Sequence, residues 1–162
     1  MISLLPNNVL YVWLVFSFGS VTSLYGQQTD FVKLYSPTNY TLTAEKNQSF
    51  VISFKIKDGF HIQANEVLDD NLIPSYISFE ENPDVILGTP IYPKAEKFLM
   101  ESSETPLLVF SNEISISVPI ISFSSETEED IVLRGKLFYQ ACDSSKCYFP
   151  RVLEFMYILS CD

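Results

Sequence analysis

The chain has 162 residues, 47% hydrophobic and 14% aromatic, with 13 Phe and 9 Tyr, enough apolar bulk to fill the core of one domain. Its 20 acidic residues outnumber 10 basic ones, and the net charge of -10 argues against a nucleic-acid partner, whose phosphates it would repel. The aromatic and β-branched content suits pleated, half-buried surfaces and so favours sheet.

In chain order, the first feature is the apolar run Val9 to Phe18. It is short for a bilayer span and sits at the N-terminus, so it reads as the core of a signal peptide over residues 1–26. Cleavage is expected after Ser23 or Gly26. No Lys or Arg precedes Lys33, which leaves an uncleaved anchor or a buried first strand as the alternatives. The remaining domain, 27–162, is then periplasmic or secreted, in a compartment where disulfides persist, with no membrane segment beyond the leader.

Phe50, Ile52, Phe54 and Ile56 alternate with Val51, Ser53, Lys55 and Lys57, the period of a strand with one buried face, and Asp58-Gly59 ends it as a tight turn. Glu66 to Asn71 is a candidate helical turn limited by Pro74. Further strands are expected over Tyr76 to Phe79, Val85 to Leu87, Leu107 to Phe110 and Ile114 to Phe123. The acidic stretch Ser124 to Asp130 reads as a solvated loop, with Glu126, Glu128, Glu129 and Asp130 on it. Ile131 to Ala141 and Arg151 to Leu159 complete the set, the latter with Leu153, Phe155, Tyr157 and Leu159 on one face. Pro93, Pro119 and Pro150 should mark edges, bulges or strand ends. About seven to nine short strands with no long helical stripe and no Gly-rich phosphate loop predict an all-β, immunoglobulin-like antiparallel β-sandwich, with a closed barrel as the competitor.

The chemistry is concentrated at Cys142 and Cys147. The four residues Asp143-Ser144-Ser145-Lys146 have the character of a hairpin loop, which would set the two cysteines opposite each other, about 4.5 to 5.5 Å apart at Cα and within disulfide reach. A bridge closing so short a loop contributes only about 2 kcal/mol through chain entropy. At a hairpin tip it is also open to thiolate attack. Spacing alone leaves a structural staple and an exchange-active pair both open. Lys146 beside Cys147 favours a thiolate there, and Asp143 beside Cys142 acts the other way.

Gln140-Ala141-Cys142, a polar spacer, then Cys147-Tyr148-Phe149-Pro150 is similar to the Tyr-Gln-x-Cys…Cys-Tyr-x-Pro signature of the N-terminal domain of the thiol:disulfide interchange protein DsbD. Upstream, Ile56 to Ile62 resembles that family's Gly-Tyr/Trp-His segment, and Leu72-Ile73-Pro74 and Gly88 to Pro93 follow as its next landmarks. The resemblance covers about residues 40 to 160. It implies an immunoglobulin-like domain of the bacterial envelope that takes electrons from a thioredoxin-like donor and passes them to oxidised envelope proteins. Cys147 would form the mixed disulfide and Cys142 would resolve it, with Phe60, His61, Tyr139, Tyr148 and Pro150 as site neighbours. Gln63 falls at a further neighbouring position, and the phenylalanine of a shielding cap is sought near Phe98. The four-residue spacer is shorter than in the best-known member, and that family's membrane-embedded and C-terminal thioredoxin-like portions are not part of this sequence.

Other candidates have simpler readings. Cys161 is an odd third cysteine, read as a free tail thiol or a site for intermolecular pairing. His61, the only histidine, reads as a partly buried, hydrogen-bonded residue more readily than as half of a Cys-His pair. No cofactor or metal set is expected, since His61, Cys142 and Cys147 lack ligand spacing. Asn39-Tyr40-Thr41 and Asn47-Gln48-Ser49 are short chance sequons. The rival to interchange is a non-enzymatic envelope binding or accessory domain with a structural hairpin disulfide.

Overall fold

The computed structural model describes residues 30–43, 47–101, 103–124 and 129–161. The expected leader and the centre of the acidic loop lie outside them. Twelve strands follow in chain order: β1 (Val32–Leu34), β2 (Asn39–Leu42), β3 (Ser49–Ile56), β4 (His61–Gln63), β5 (Tyr76–Phe79), β6 (Val85–Leu87), β7 (Glu96–Phe98), β8 (Leu107–Ser111), β9 (Glu113–Phe123), β10 (Ile131–Tyr139), β11 (Ala141–Cys142) and β12 (Arg151–Cys161). The architecture is the expected all-β, immunoglobulin-like sandwich. The strands beyond those expected are two to four residues long, too short to show a period in sequence. The segment from Glu66 to Asn71 forms bends and a turn, with Leu72 N–H on the Asp69 carbonyl, instead of a helix.

Two four-stranded sheets, β1-β3-β9-β6 and β2-β12-β10-β5, face each other. The alternation read in β3 places Phe50, Ile52, Phe54 and Ile56 fully inside, and Ile114, Ile116 and Val118 of β9 join them. Opposite stand Leu133 and Leu137 of β10 and Phe155, Tyr157 and Leu159 of β12. The layers meet ring on ring: Phe50 lies 4.7 Å from Tyr157 and Phe54 lies 5.4 Å from Phe155. Among the described residues one ladder, β2 with β12, is parallel and the others are antiparallel. Pro119 sits where the β3 ladder ends and the β6–β9 register shifts, so its missing N–H breaks no regular pairing.

A third sheet, β11-β4-β8-β7, grows out of the ends of the other two. β8 runs into β9 through Asn112, which takes φ 60°, a left-handed conformation that Asn tolerates. Beside it, β3 reaches β4 through a turn closed by Phe60 N–H on the Lys57 carbonyl, where Gly59 adopts φ 80° and a side chain would be strained. From the other layer, β10 passes through Gln140 into β11, and the expected single strand Ile131 to Ala141 is interrupted there. Strands of both layers therefore converge on one small sheet, and β11 brings the first cysteine to it.

Candidate functional site

Cys142 and Cys147 form a disulfide, with Cα atoms 3.9 Å apart and a sequence separation of 5. They face each other as an antiparallel bridge, as the four-residue loop required, although closer than the expected cross-strand spacing. Tyr148 N–H donates to the Ala141 carbonyl at 2.7 Å and Asp143 N–H to the Lys146 carbonyl at 2.9 Å, closing the hairpin on both sides of the bridge.

Asp143 organises the loop. Its Oδ1 accepts hydrogen bonds from Ser145 N–H, Ser145 Oγ and Lys146 N–H at 2.8 to 2.9 Å, and its Oδ2 accepts one from the Tyr148 hydroxyl at 2.7 Å. These donors hold its carboxyl far below the usual carboxylate range, the Tyr148 hydroxyl first among them. The Lys146 ammonium lies 5.1 Å from the centre of the Tyr148 ring, a cation–π contact. Both charges beside the cysteines thus have partners within the hairpin.

The two cysteines differ in burial. Cys142 is 0% exposed, whereas Cys147 is half-buried. Around them Leu107 and Val109 of β8, with Leu72, Phe98 and Met100, form a small apolar cluster separate from the main core. Phe98 is the residue near which a cap was sought, and its ring also lies 4.0 Å from that of His61. The segment behind it is tied to the hairpin tip by Glu101 N–H on the Ser144 carbonyl at 2.9 Å, between exposed residues. Gln140 braces the other flank, its Nε2 donating to the Tyr148 carbonyl and its Oε1 accepting from Ile73 N–H.

β4 supplies the remaining neighbours. His61 is in register with both Cys142 and Ser111, and its Nδ1 lies 2.8 Å from Ser111 Oγ. Burial pushes its pKa down from 6.5, with Glu96 acting weakly the other way. It is the hydrogen-bonded, partly buried histidine of the simpler reading. Gln63, wholly buried, directs Nε2 at both sulfurs, 3.3 Å from Cys142 Sγ and 3.6 Å from Cys147 Sγ.

The other neighbours expected from sequence make further contacts outside the sulfur cluster. Phe60 and Tyr148 pack with Phe31 against the main core, with ring centres 4.7 to 5.9 Å apart, and Arg151 lies over Phe31. Tyr139 is buried in that core, and desolvation raises its pKa. Pro150 is exposed before β12, beside Phe149 at 90% exposure. Cys161 ends β12 in register with Leu42. Sequence reasoning did not place Leu72, Met100, Leu107 and Val109 at the site. The one available signal was the doubly apolar run Leu107 to Phe110, which implies a strand with two buried faces.

The landmarks of the resemblance have structural work at their positions. Leu72 packs on the cysteine cluster, Gly88 N–H donates to the Pro119 carbonyl, and the Tyr92 hydroxyl accepts from Ile77 N–H at 2.9 Å. Among solved structures the fold is similar to the Neisseria meningitidis DsbD N-terminal domain in the reduced form, at 22% identity and TM-score 0.43, over 65% of this chain and 73% of that one. It is also similar to the N-terminal periplasmic domain of ScsB from Proteus mirabilis, at 11% identity and TM-score 0.47, over 80% of this chain and 44% of that one. No curated protein sequence matches. The family model described as thiol:disulfide interchange protein DsbD, N-terminal, matches residues 28–157, and the chain therefore belongs to the DsbD N-terminal domain family.

Proposed function

We propose that this thiol:disulfide interchange domain carries electron pairs through Cys142 and Cys147, alternating between a disulfide and two thiols. A thioredoxin-like donor dithiol is oxidised as the pair is reduced, and an oxidised envelope protein is reduced as the pair closes again. Cys147 is the sulfur that exchanges with partners and Cys142 the one that resolves. The observation that carries this reading is the unequal burial of the two bonded cysteines at a hairpin tip: Cys147 is half-buried, Cys142 enclosed. A thiolate must approach along the S–S axis, so the cysteine that is not enclosed is the one a partner can attack. Family membership supports the same assignment.

The full enclosure of Cys142 also favours a structural staple, and trapping separates the two. A Cys142→Ala variant leaves Cys147 unable to be resolved, so it should accumulate mixed disulfides with thioredoxin-like and substrate proteins. A Cys147→Ala variant should accumulate far fewer. Equal or absent adducts in both variants would contradict the assignment.

The compartment belongs to the same proposal. The apolar run before residue 27 would direct export to the periplasm or beyond, and residues 27–162 would form the mature domain. Mass spectrometry of the protein from the envelope fraction should find a new N-terminus after Ser23 or Gly26.

A further inference from the structure

Gln63 is a wholly buried amide whose Oε1 has no hydrogen-bond partner among the described residues, while its Nε2 reaches both sulfurs. A buried acceptor left unpaired carries its full desolvation penalty, and an apolar residue would avoid it in a cluster made of Leu72, Phe98, Met100, Leu107 and Val109. A disulfide sulfur is only a weak acceptor, so the oxidised state gains little from this amide. The two states formed on bond cleavage gain far more. A thiolate is a strong acceptor for N–H, and a thiol has an S–H that a carbonyl oxygen can receive.

We propose that Gln63 is the positioning residue of the exchange reaction, holding the Cys142 thiolate through Nε2–H and the neutral thiol through Oε1. This rests on the interchange reading above. In the step concerned, a partner thiolate attacks Cys147 Sγ and forms a new S–S bond there. The Cys142–Cys147 bond breaks, and its electron pair leaves on Cys142 Sγ, 3.3 Å from the Gln63 donor. In the other direction the Cys142 thiolate attacks Cys147 Sγ in the mixed disulfide and releases the partner as a thiolate, which takes a proton from water. Cys142 is the anion in both directions, and it is the enclosed sulfur, where desolvation alone would disfavour charge. A neutral amide offsets that penalty without leaving a buried charge behind when the disulfide re-forms.

The test is the thiol titration of the full reduced chain, followed by thiolate absorbance against pH. The titratable and charged groups nearby are the Cys147 thiol itself, 3.6 Å from the Gln63 donor, His61 on β4, Glu96 on β7, Glu101 beyond it, and Asp143 and Lys146 in the hairpin. All are shared by wild type and variant, so the difference reports Gln63. Gln63→Met keeps the volume and removes both hydrogen-bonding functions; the Cys142 pKa should rise by about one unit, with about tenfold slower resolution of a preformed mixed disulfide at pH 7. Gln63→Glu places a carboxylate at the thiolate and should raise the pKa further. In the unsubstituted protein, the Gln63 side-chain amide proton resonances should titrate with the Cys142 thiol, which tests the contact even if both variants fold poorly. An unchanged thiol pKa in folded Gln63→Met, or amide resonances indifferent to thiol ionisation, would overturn the proposal. Either result is independent of whether Cys147 captures partners, so failure of the interchange reading remains separately visible.

Discussion

Asp143 accepts four hydrogen bonds within the hairpin, three on Oδ1 and one on Oδ2, and these replace the rigidity that a four-residue loop of Ser and Lys otherwise lacks. Asp143→Ala should loosen the reduced hairpin and lower the effective concentration of one thiol at the other. The disulfide should then become several-fold easier to reduce by glutathione, as an exchange equilibrium would show. Because the native state holds this carboxyl below its ordinary value, its contribution to stability is present above the unfolded carboxylate range and is lost as pH falls through the native value. His61 acts at higher pH. Burial depresses its pKa, so the unfolded chain takes up the proton first, and stability should fall as pH drops below about 6.5. His61→Gln should flatten the urea midpoint between pH 7 and pH 5, relative to wild type. At this scale the sequence was partly legible. Asp143-Ser144-Ser145-Lys146 announced a turn because its residue types have local reasons to bend the chain. Gln63 announced little, because a single amide in a short strand has no period, and its function depends on a cysteine 79 residues away.

At the scale of elements, long strands showed themselves and short ones did not. β3, β9, β10 and β12 alternate over 8 to 11 residues, which fixes both their existence and their inward face. β4, β7 and β11 span two or three residues and exist because neighbouring strands hold them. The third sheet, which builds the site, is therefore the part least visible in sequence. Gly135 shows how tightly the long strands are fitted: a Cβ there would collide with the ring of Phe155, its partner in register on β12. Gly135→Ala should cost about 1–3 kcal/mol in chemical denaturation. Combining it with Phe155→Leu should cost less than the sum of the two single changes, because the second removes the ring the first collides with. Phe98 is the corresponding contact at the site. Phe98→Ala opens the apolar cluster around the sulfurs, and reduction of the disulfide by a small thiol should accelerate several-fold, while the sandwich core, which Phe98 does not enter, keeps its stability.

For the whole molecule, two apolar layers meet in a core that includes Phe50, Phe54, Phe155 and Tyr157, and that core does not depend on the cysteine bridge. The bridge closes a separation of only 5 residues, so its removal should cost the fold no more than about 2 kcal/mol. The sandwich was legible because alternating apolar residues specify faces; the convergence of both layers on the cysteine hairpin was not, because it depends on where strands bend. So weak a staple agrees with the proposed exchange role, and redox titration of the purified protein against glutathione is the decisive experiment. Exchange requires a potential above roughly -300 mV, among those of envelope exchange proteins, and a value well below roughly -300 mV, typical of structural bridges, would contradict it.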